Sequence, residues 1–498
     1  MATERYIILP KGGIAASIQA ASDVLGRFPQ VRSTQRPASF RLDMFGGATA
    51  TVVDTVADDG PKLVDLEPEA AARINASGSP VRAVKEVFYP LPQPMEGSAD
   101  FINFGGGGVP QFSFDVTVAD AATGRAIGGC LVMAYWDFLN RFGVKGVTDA
   151  NGRVRLSSPT PMIERVTATP EPGSGYWSGY RLNVPATGVI QIVAPPLTLP
   201  YVDSVRHYFG RTNFNSETGV TVGVIDTGCG PHADLNIVRG RNTVTGEPAK
   251  EATDSAYHGT HVAGLIGANG ATFQGVRGLA PQVKLNAYRV YGAGSDRASN
   301  YSLLKAMIFA AEDGCDIINL SLGGGPDDEI VREAIVDARN QGMLIVVAAG
   351  NAYRSSVSYP AAYAGATPVS AMGRKGTFPS GSSEELQIVS PPYSTADPSE
   401  FIAHFSNIGP QIALTAPGVG AISTLPNNKV GPLSGTSMAA PVVAGAAACL
   451  LSQSPEVWSM PRDRARSDAI ERLLQTNCVR RGFGLNFEGY GMPQFPSV

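Results

Sequence analysis

Between residues 220 and 349, apolar runs of strand length take turns with helical stretches. The runs are Val220–Ile225, Val283–Val290, Asp316–Leu322 and Met343–Ala349; the helical stretches are His258–Ala268, Asn300–Asp313 and Asp327–Gln341. A strand that is apolar at consecutive positions must be buried on both faces, so this alternation predicts an α/β unit with a parallel sheet flanked by helices. Active sites in such sheets gather at the carboxyl ends of the strands. Asp226 and Asn351 stand just where two of the runs stop.

Three short strings carry chemistry. Val224-Ile225-Asp226-Thr227-Gly228 supplies an acid, His258-Gly259-Thr260-His261-Val262-Ala263-Gly264 an imidazole, and Gly435-Thr436-Ser437-Met438-Ala439-Ala440-Pro441 a hydroxyl. Together these are the parts of a nucleophilic hydrolase. The order Asp, His, Ser separates the chain from the His, Asp, Ser of chymotrypsin-type enzymes and from the Ser, Asp, His of α/β-hydrolases. A metal at the two histidines is disfavoured, because no Glu lies between them in the metalloprotease arrangement. Ser437 precedes a helix of small residues with Pro441 in its first turn, where a missing N–H costs least.

In these strings the chain resembles the subtilisin family. The resemblance implies Asp226, His258 and Ser437 as the catalytic residues and Asn351, in Ala348-Ala349-Gly350-Asn351, as side-chain donor to the oxyanion. Ser321-Leu322-Gly323-Gly324 resembles the strand that pairs with substrate. The P1 pocket is then expected between Ser321, Leu322 and Gly323, Ala349 and Gly350, and Ser358; its small uncharged walls favour large apolar P1 residues. His232-Ala233-Asp234-Leu235 matches a stretch whose Asp binds calcium in many subtilisins, which makes Asp234 the candidate ligand although no cofactor is required for the reaction. Two spans depart from the family pattern: Gly267–Arg277, beside that ligand, and the long Arg374–Glu400.

Ahead of this unit, residues 1–91 read β-α-β-β-α-β, with strands at Arg5–Leu9, Phe40–Met44, Ala50–Val56 and Val81–Phe88 and helices at Ala15–Arg27 and Pro68–Asn75. The pattern is similar to the propeptide found ahead of many subtilisins, so the resemblance implies a propeptide, and whether the chain is a zymogen or works uncut stays open. A connector rich in Pro and Gly follows at 92–109. Alternating residues from Phe112 and turns about every ten residues suggest a β-sandwich at 110–194, with Thr148–Gly152 as a hairpin turn between Phe142–Val147 and Val154–Leu156. Its aromatics, Tyr135, Trp136, Phe138, Tyr176 and Trp177, suit either a core or a ligand surface. After a second linker, Ala194–Pro200, the catalytic unit runs from 201 to 498.

Composition excludes several partners. The 498 residues carry a formal net charge of −4 and no run of Lys or Arg that would track phosphates, which argues against nucleic acid. No stretch reaches the ~18 apolar residues of a membrane span or the form of a secretory signal, so the sequence predicts a cytoplasmic protein without membrane contact. Five cysteines with no Cys-x-x-Cys pair argue for reduced thiols. The expected function is a serine endopeptidase acting on polypeptide; the oligomeric state is open. The rival reading is a catalytically silent scaffold whose sandwich binds protein or carbohydrate, and the four filled catalytic positions weigh against it.

Overall fold

The computed structural model describes residues 3–13, 19–32, 34–42, 47–76, 78–91, 109–210, 219–272, 275–389 and 392–494. The connector at 92–108 lies outside them.

The N-terminal unit is a five-stranded antiparallel sheet with two helices: β1 (Glu4–Pro10), α1 (Gln19–Leu25), β2 (Ala38–Leu42), β3 (Ala48–Thr55), β4 (Lys62–Leu66), α2 (Pro68–Ala76) and β5 (Val81–Lys85), in the order β2-β3-β4-β1-β5. The sequence pattern missed β4, because Lys62 and Asp65 interrupt its apolar run. Lys62 is nonetheless fully buried, its Nζ donating to Ala57 O at 2.5 Å and Asp58 O at 2.8 Å. Side chains alternate across the sheet. Tyr6 and Ile8 pack on the unit's own helices, whereas Ile7 and Leu9 join a cluster belonging to the catalytic unit. A short strand, β6 (Phe88–Pro90), ends this unit.

Residues 112–194 form seven strands: β7 (Phe112–Asp120), β8 (Leu131–Asp137), β9 (Phe142–Val147), β10 (Arg153–Ser158), β11 (Met162–Thr169), β12 (Gly179–Pro185) and β13 (Gly188–Ala194). They make two sheets, β10-β7-β13 and β12-β11-β8-β9, around one apolar cluster that includes Phe114, Val132, Ile163 and Ile192. The expected hairpin at 148–152 is corrected here: β9 pairs with β8 and β10 with β7, so the turn crosses between sheets. Its sequence still makes a tight turn, since the Asp149 carboxylate accepts the N–H groups of Asn151 and Arg153.

The catalytic unit opens with α3 (Ser204–Phe209) and continues β14 (Thr221–Asp226), β15 (Ile237–Asn242), α4 (His258–Gly267), β16 (Lys284–Arg289), β17 (Arg297–Ser299), α5 (Asn300–Glu312), β18 (Ile317–Leu320), α6 (Glu329–Asn340), β19 (Leu344–Ala348), β20 (Thr367–Arg374), β21 (Glu400–Ile402), β22 (Leu414–Pro417), β23 (Ala421–Leu425), β24 (Lys429–Leu433) and α7 (Thr436–Ser452). Its main sheet runs β15-β16-β14-β18-β19-β20-β21, with β22 beside β20, and all its pairings are parallel except β20 with β21. Strands β14, β18 and β19 are wholly buried apart from Thr221, as runs covered on both faces must be. Helix α7, with sixteen of its seventeen residues buried, passes against β18, β19, β20 and β22.

The departure at 374–400 is where the seven-stranded unit docks. Ser383 N donates to Ser178 O at 2.8 Å, Gly179 bridges Ser382, and Tyr180 donates to Glu385 at 3.0 Å. Trp177 is fully buried in the catalytic cluster and the Phe138 ring lies 5.4 Å from that of Tyr353, whereas Trp136 and Tyr176 pack, partly buried, against the seven-stranded unit's own cluster.

Candidate active site

Asp226 is the last residue of β14, a central strand, and has no exposed surface. His258 is the first residue of α4, which packs against β14. The two meet with His258 Nδ1 2.8 Å from Asp226 Oδ1. A carboxylate accepts only, so Nδ1 carries the hydrogen and Nε2 presents its lone pair. That Nε2 has no partner among the described residues. Asp226 is oriented in turn by the Thr227 N–H, at 2.7 Å.

The start of α4 is held by a residue the sequence reading missed. Asp254 accepts from Ala256 N at 2.9 Å, Thr227 Oγ1 at 2.8 Å, and both Thr260 N and Oγ1 at 2.7 and 2.5 Å. Thr227 Oγ1 also accepts the Gly259 N–H at 2.8 Å, so one network ties the acid strand to the histidine helix. No capping pattern announces it, since the N-cap position of α4 is Tyr257, which makes no side-chain cap bond. Burial raises the Asp254 pKa. A Cβ at Gly259 would strike Gly228 O and come within 3.1 Å of Asp226 Cβ. Glycine is needed for the approach of helix to strand.

Ser437 lies in the first turn of α7, and its hydroxyl donates to Ser321 O at 3.1 Å while Ser321 Oγ donates to Ser437 O at 2.8 Å. No hydrogen bond joins Ser437 Oγ to His258 in this structure. Asn351 follows β19, and its Oδ1 accepts from Thr436 N at 2.9 Å and Thr436 Oγ1 at 2.8 Å. The backbone donor fixes which end of the amide is oxygen, leaving Nδ2 as the free end. Ser358 Oγ stands where Gly323 and Gly350 converge, 2.9 and 2.5 Å from a Cβ built on each, and donates to Ala349 O at 3.1 Å. Leu322 is buried behind this wall.

The expectation of calcium at Asp234 meets a different arrangement. The Asp234 oxygens accept from Thr272 N and Thr272 Oγ1, both at 2.7 Å. Donors occupy the carboxylate where a cation would need further acceptors, and no group of three His, Cys, Asp or Glu surrounds it among the described residues. The described residues therefore do not fit calcium at Asp234. Cys229 is buried with its thiol pKa pushed well up by that burial, which leaves it inert.

His261 is fully buried, with Nε2 donating to Gly431 O at 3.1 Å, and burial pushes its pKa down to about 3 from 6.5. Between those values the unfolded chain binds a proton that the folded chain refuses, so stability falls as pH drops from 6.5 toward 3. His261→Gln keeps the donor and loses the titration. Melting profiles of the two proteins from pH 7 to 4 are expected to diverge, with the variant's fall the shallower.

The family model described as Subtilase family matches residues 217–492, more than half of the chain. Subtilisin BL of Lederbergia lenta is 38% identical over 242 residues, covering 49% of this chain and 79% of the relative. The major intracellular serine protease of Bacillus subtilis (strain 168) is 36% identical over 266 residues, 51% of this chain and 75% of the relative. The chain belongs to the subtilase family and is a subtilisin-like serine endopeptidase. Its substrates are therefore polypeptides, and no helix among the described residues is long and apolar enough to cross a membrane.

Proposed function

We propose that Ser437 attacks the scissile carbonyl, His258 Nε2 takes its proton and returns it to the leaving amine, and Asp226 holds the Nδ1–H tautomer and the imidazolium that forms. The 2.8 Å contact of His258 Nδ1 with Asp226, with Nε2 left open, supports this reading most directly. Substrate binding then swings the Ser437 hydroxyl from Ser321 O to His258, a tightening common in complexes of such enzymes. Asn351 Nδ2 and the Ser437 N–H at the start of α7 receive the oxyanion. Substrate pairs with Ser321–Gly323, and its P1 side chain, large and apolar by preference, enters between Gly323, Ala349, Gly350 and Ser358.

Residues 1–91 act in this reading as a propeptide that fills the unprimed cleft, 110–194 as an accessory domain, and 201–498 as the peptidase. Strand β6 pairs antiparallel with β17, Leu91 N donates to Asp296 O at 2.6 Å, and Tyr291 donates to Pro90 O at 3.0 Å. Substrate-like strand addition is what these bonds resemble. Arg82 binds Glu329 and Glu333 on α6 at 2.7 and 2.5 Å, and the buried Lys305 binds the buried Asp54 at 2.8 Å.

Asn351→Ala tests the oxyanion assignment. The family value for loss of such a donor is ~10²–10³ in turnover. Because the donor acts on charge that develops only in the transition state, kcat is expected to fall by that factor with KM nearly unchanged. A change confined to KM in steady-state peptide hydrolysis would remove Asn351 from the oxyanion site.

A further inference from the structure

The seam between the four-stranded sheet and the catalytic unit holds three arginines and no carboxylate paired with them among the described residues. Arg141 and Arg165 come from the seven-stranded unit; Arg354 follows Asn351 by three residues. The Arg141 guanidinium lies 3.9 Å over the Phe138 ring and 3.8 Å over the Tyr353 ring, and that of Arg165 lies 3.5 Å over the Phe138 ring. Arg354 Nη2 donates to Ile402 O at 2.7 Å. What remains is unmet among the described residues: Arg141 Nη1, Arg165 Nε and Arg354 Nη1 are buried atoms with no partner there, as are Thr167 Oγ1, Ser383 Oγ and His404 Nδ1. Gln387 Oε1 is a seventh, on an amide whose two ends are exchangeable.

Four of these groups, on Arg165, Thr167, Ser383 and Gln387, belong to residues lining a cavity of about 30 Å³ that is completed by Met133, Tyr135, Phe138, Tyr353 and Leu386. The carboxylates of the same hairpin and strand are engaged elsewhere. Glu164 accepts the Phe138 N–H at 2.8 Å, and Asp137 accepts from the Asn140 backbone and side chain at 3.0 and 2.7 Å. Burial, and then the charges of Arg354, Arg165 and Arg141, push the His404 pKa down to about 4. Burial likewise pushes Arg354 down to about 10.

Aromatic stacking compensates part of a guanidinium's desolvation, but buried N–H donors without acceptors remain costly. One water needs roughly 10–15 Å³, so the cavity has room for a single small ion, and its walls offer donors converging from both units. We propose that this seam binds one small inorganic anion, a halide or a compact oxyanion, which ties the seven-stranded unit to the loop that carries Asn351. Binding stands independently of the catalytic roles assigned above; only a consequence for turnover rests on them.

The test uses the full chain carrying Ser437→Ala, so that self-cleavage cannot move the melting transition. At pH 7.5 and constant ionic strength, sodium gluconate, whose anion is too bulky for the cavity, is replaced stepwise by sodium chloride, sodium nitrate or sodium phosphate. A ligand that binds only the folded state raises the melting temperature in a saturable way, here by about 2–4 °C. A response to chloride alone identifies a halide site; a response to nitrate or phosphate identifies an oxyanion site. Arg165→Gln and Arg354→Gln are each expected to lose at least half of the rise, whereas Arg155→Gln, an exposed arginine on β10, keeps all of it. If Arg354→Gln does not fold, Arg141→Gln supplies the same comparison from the other side of the seam. Absence of a saturable rise with all three salts, or an equal rise in the seam variants and in Arg155→Gln, would overturn the proposal.

Discussion

Ser437→Ala and His258→Ala are each expected to lower kcat for peptide hydrolysis by about 10⁶-fold, and Asp226→Asn by about 10⁴-fold, the family's own magnitudes for a unit that works only when whole. The asymmetry has a structural reason. Removing the hydroxyl or the base removes a reactant, whereas Asn at 226 leaves both in place and presents the wrong tautomer of His258, because an amide can donate to Nδ1 where the carboxylate at 2.8 Å only accepts. The double variant of Ser437 and His258 is expected to be no slower than either single one. Multiplicative losses, measured by single-turnover kinetics, would mean that the two side chains act independently. Melting temperatures serve as the control, since the Ser437 hydroxyl contributes one hydrogen bond to Ser321 O.

Tyr89→Ala is expected to raise the basal peptidase rate of the intact chain at least tenfold, the gain vanishing when Ser437→Ala is added. Tyr89 is fully buried at the junction of the N-terminal and catalytic units, and a Cβ at Gly325 would collide with its ring. It sits in the middle of β6, opposite Ala298. Truncating a buried aromatic costs about 3–5 kcal/mol, enough to free the cleft part of the time even though Arg82 and Asp54 still anchor the unit. A basal rate identical to that of the intact wild-type chain would show that β6 does not obstruct substrate, and residues 1–91 would then be an accessory unit. Peptide hydrolysis and trans-inhibition by added 1–91 chain report the same equilibrium from opposite sides.

The parallel sheet and its three motif-bearing termini were legible because the physics there is local and redundant. β14 and β19 carry no polar side chain at an internal position and β18 only Asn319, and the helices α4, α5 and α6 begin within two residues of where periodicity put them. The site residues could be named from strings, but their support could not. Asp254 is a single acidic residue whose importance comes from four hydrogen bonds to partners up to 27 positions away. Strand β4 was hidden by Lys62, whose charge finds two backbone carbonyls inside the fold, and the false hairpin at 148–152 had the right turn chemistry with the wrong partners. Register and sheet membership are long-range facts that a turn of five residues does not encode. The arginine seam was equally invisible, since Arg141, Arg165 and Arg354 meet only once the seven-stranded unit has docked on 374–400.

The most direct measurement is mass spectrometry of the full chain after incubation with a small fluorophosphonate, which labels a serine only when a neighbouring base activates it. Wild-type protein is expected to carry one adduct, on the peptide containing Ser437, with labelling lost in Ser437→Ala and in His258→Ala and strongly slowed in Asp226→Asn. An adduct on another serine, or labelling of Ser437 at the same rate in His258→Ala as in wild type, would contradict the assignment of Asp226, His258 and Ser437 as one catalytic unit.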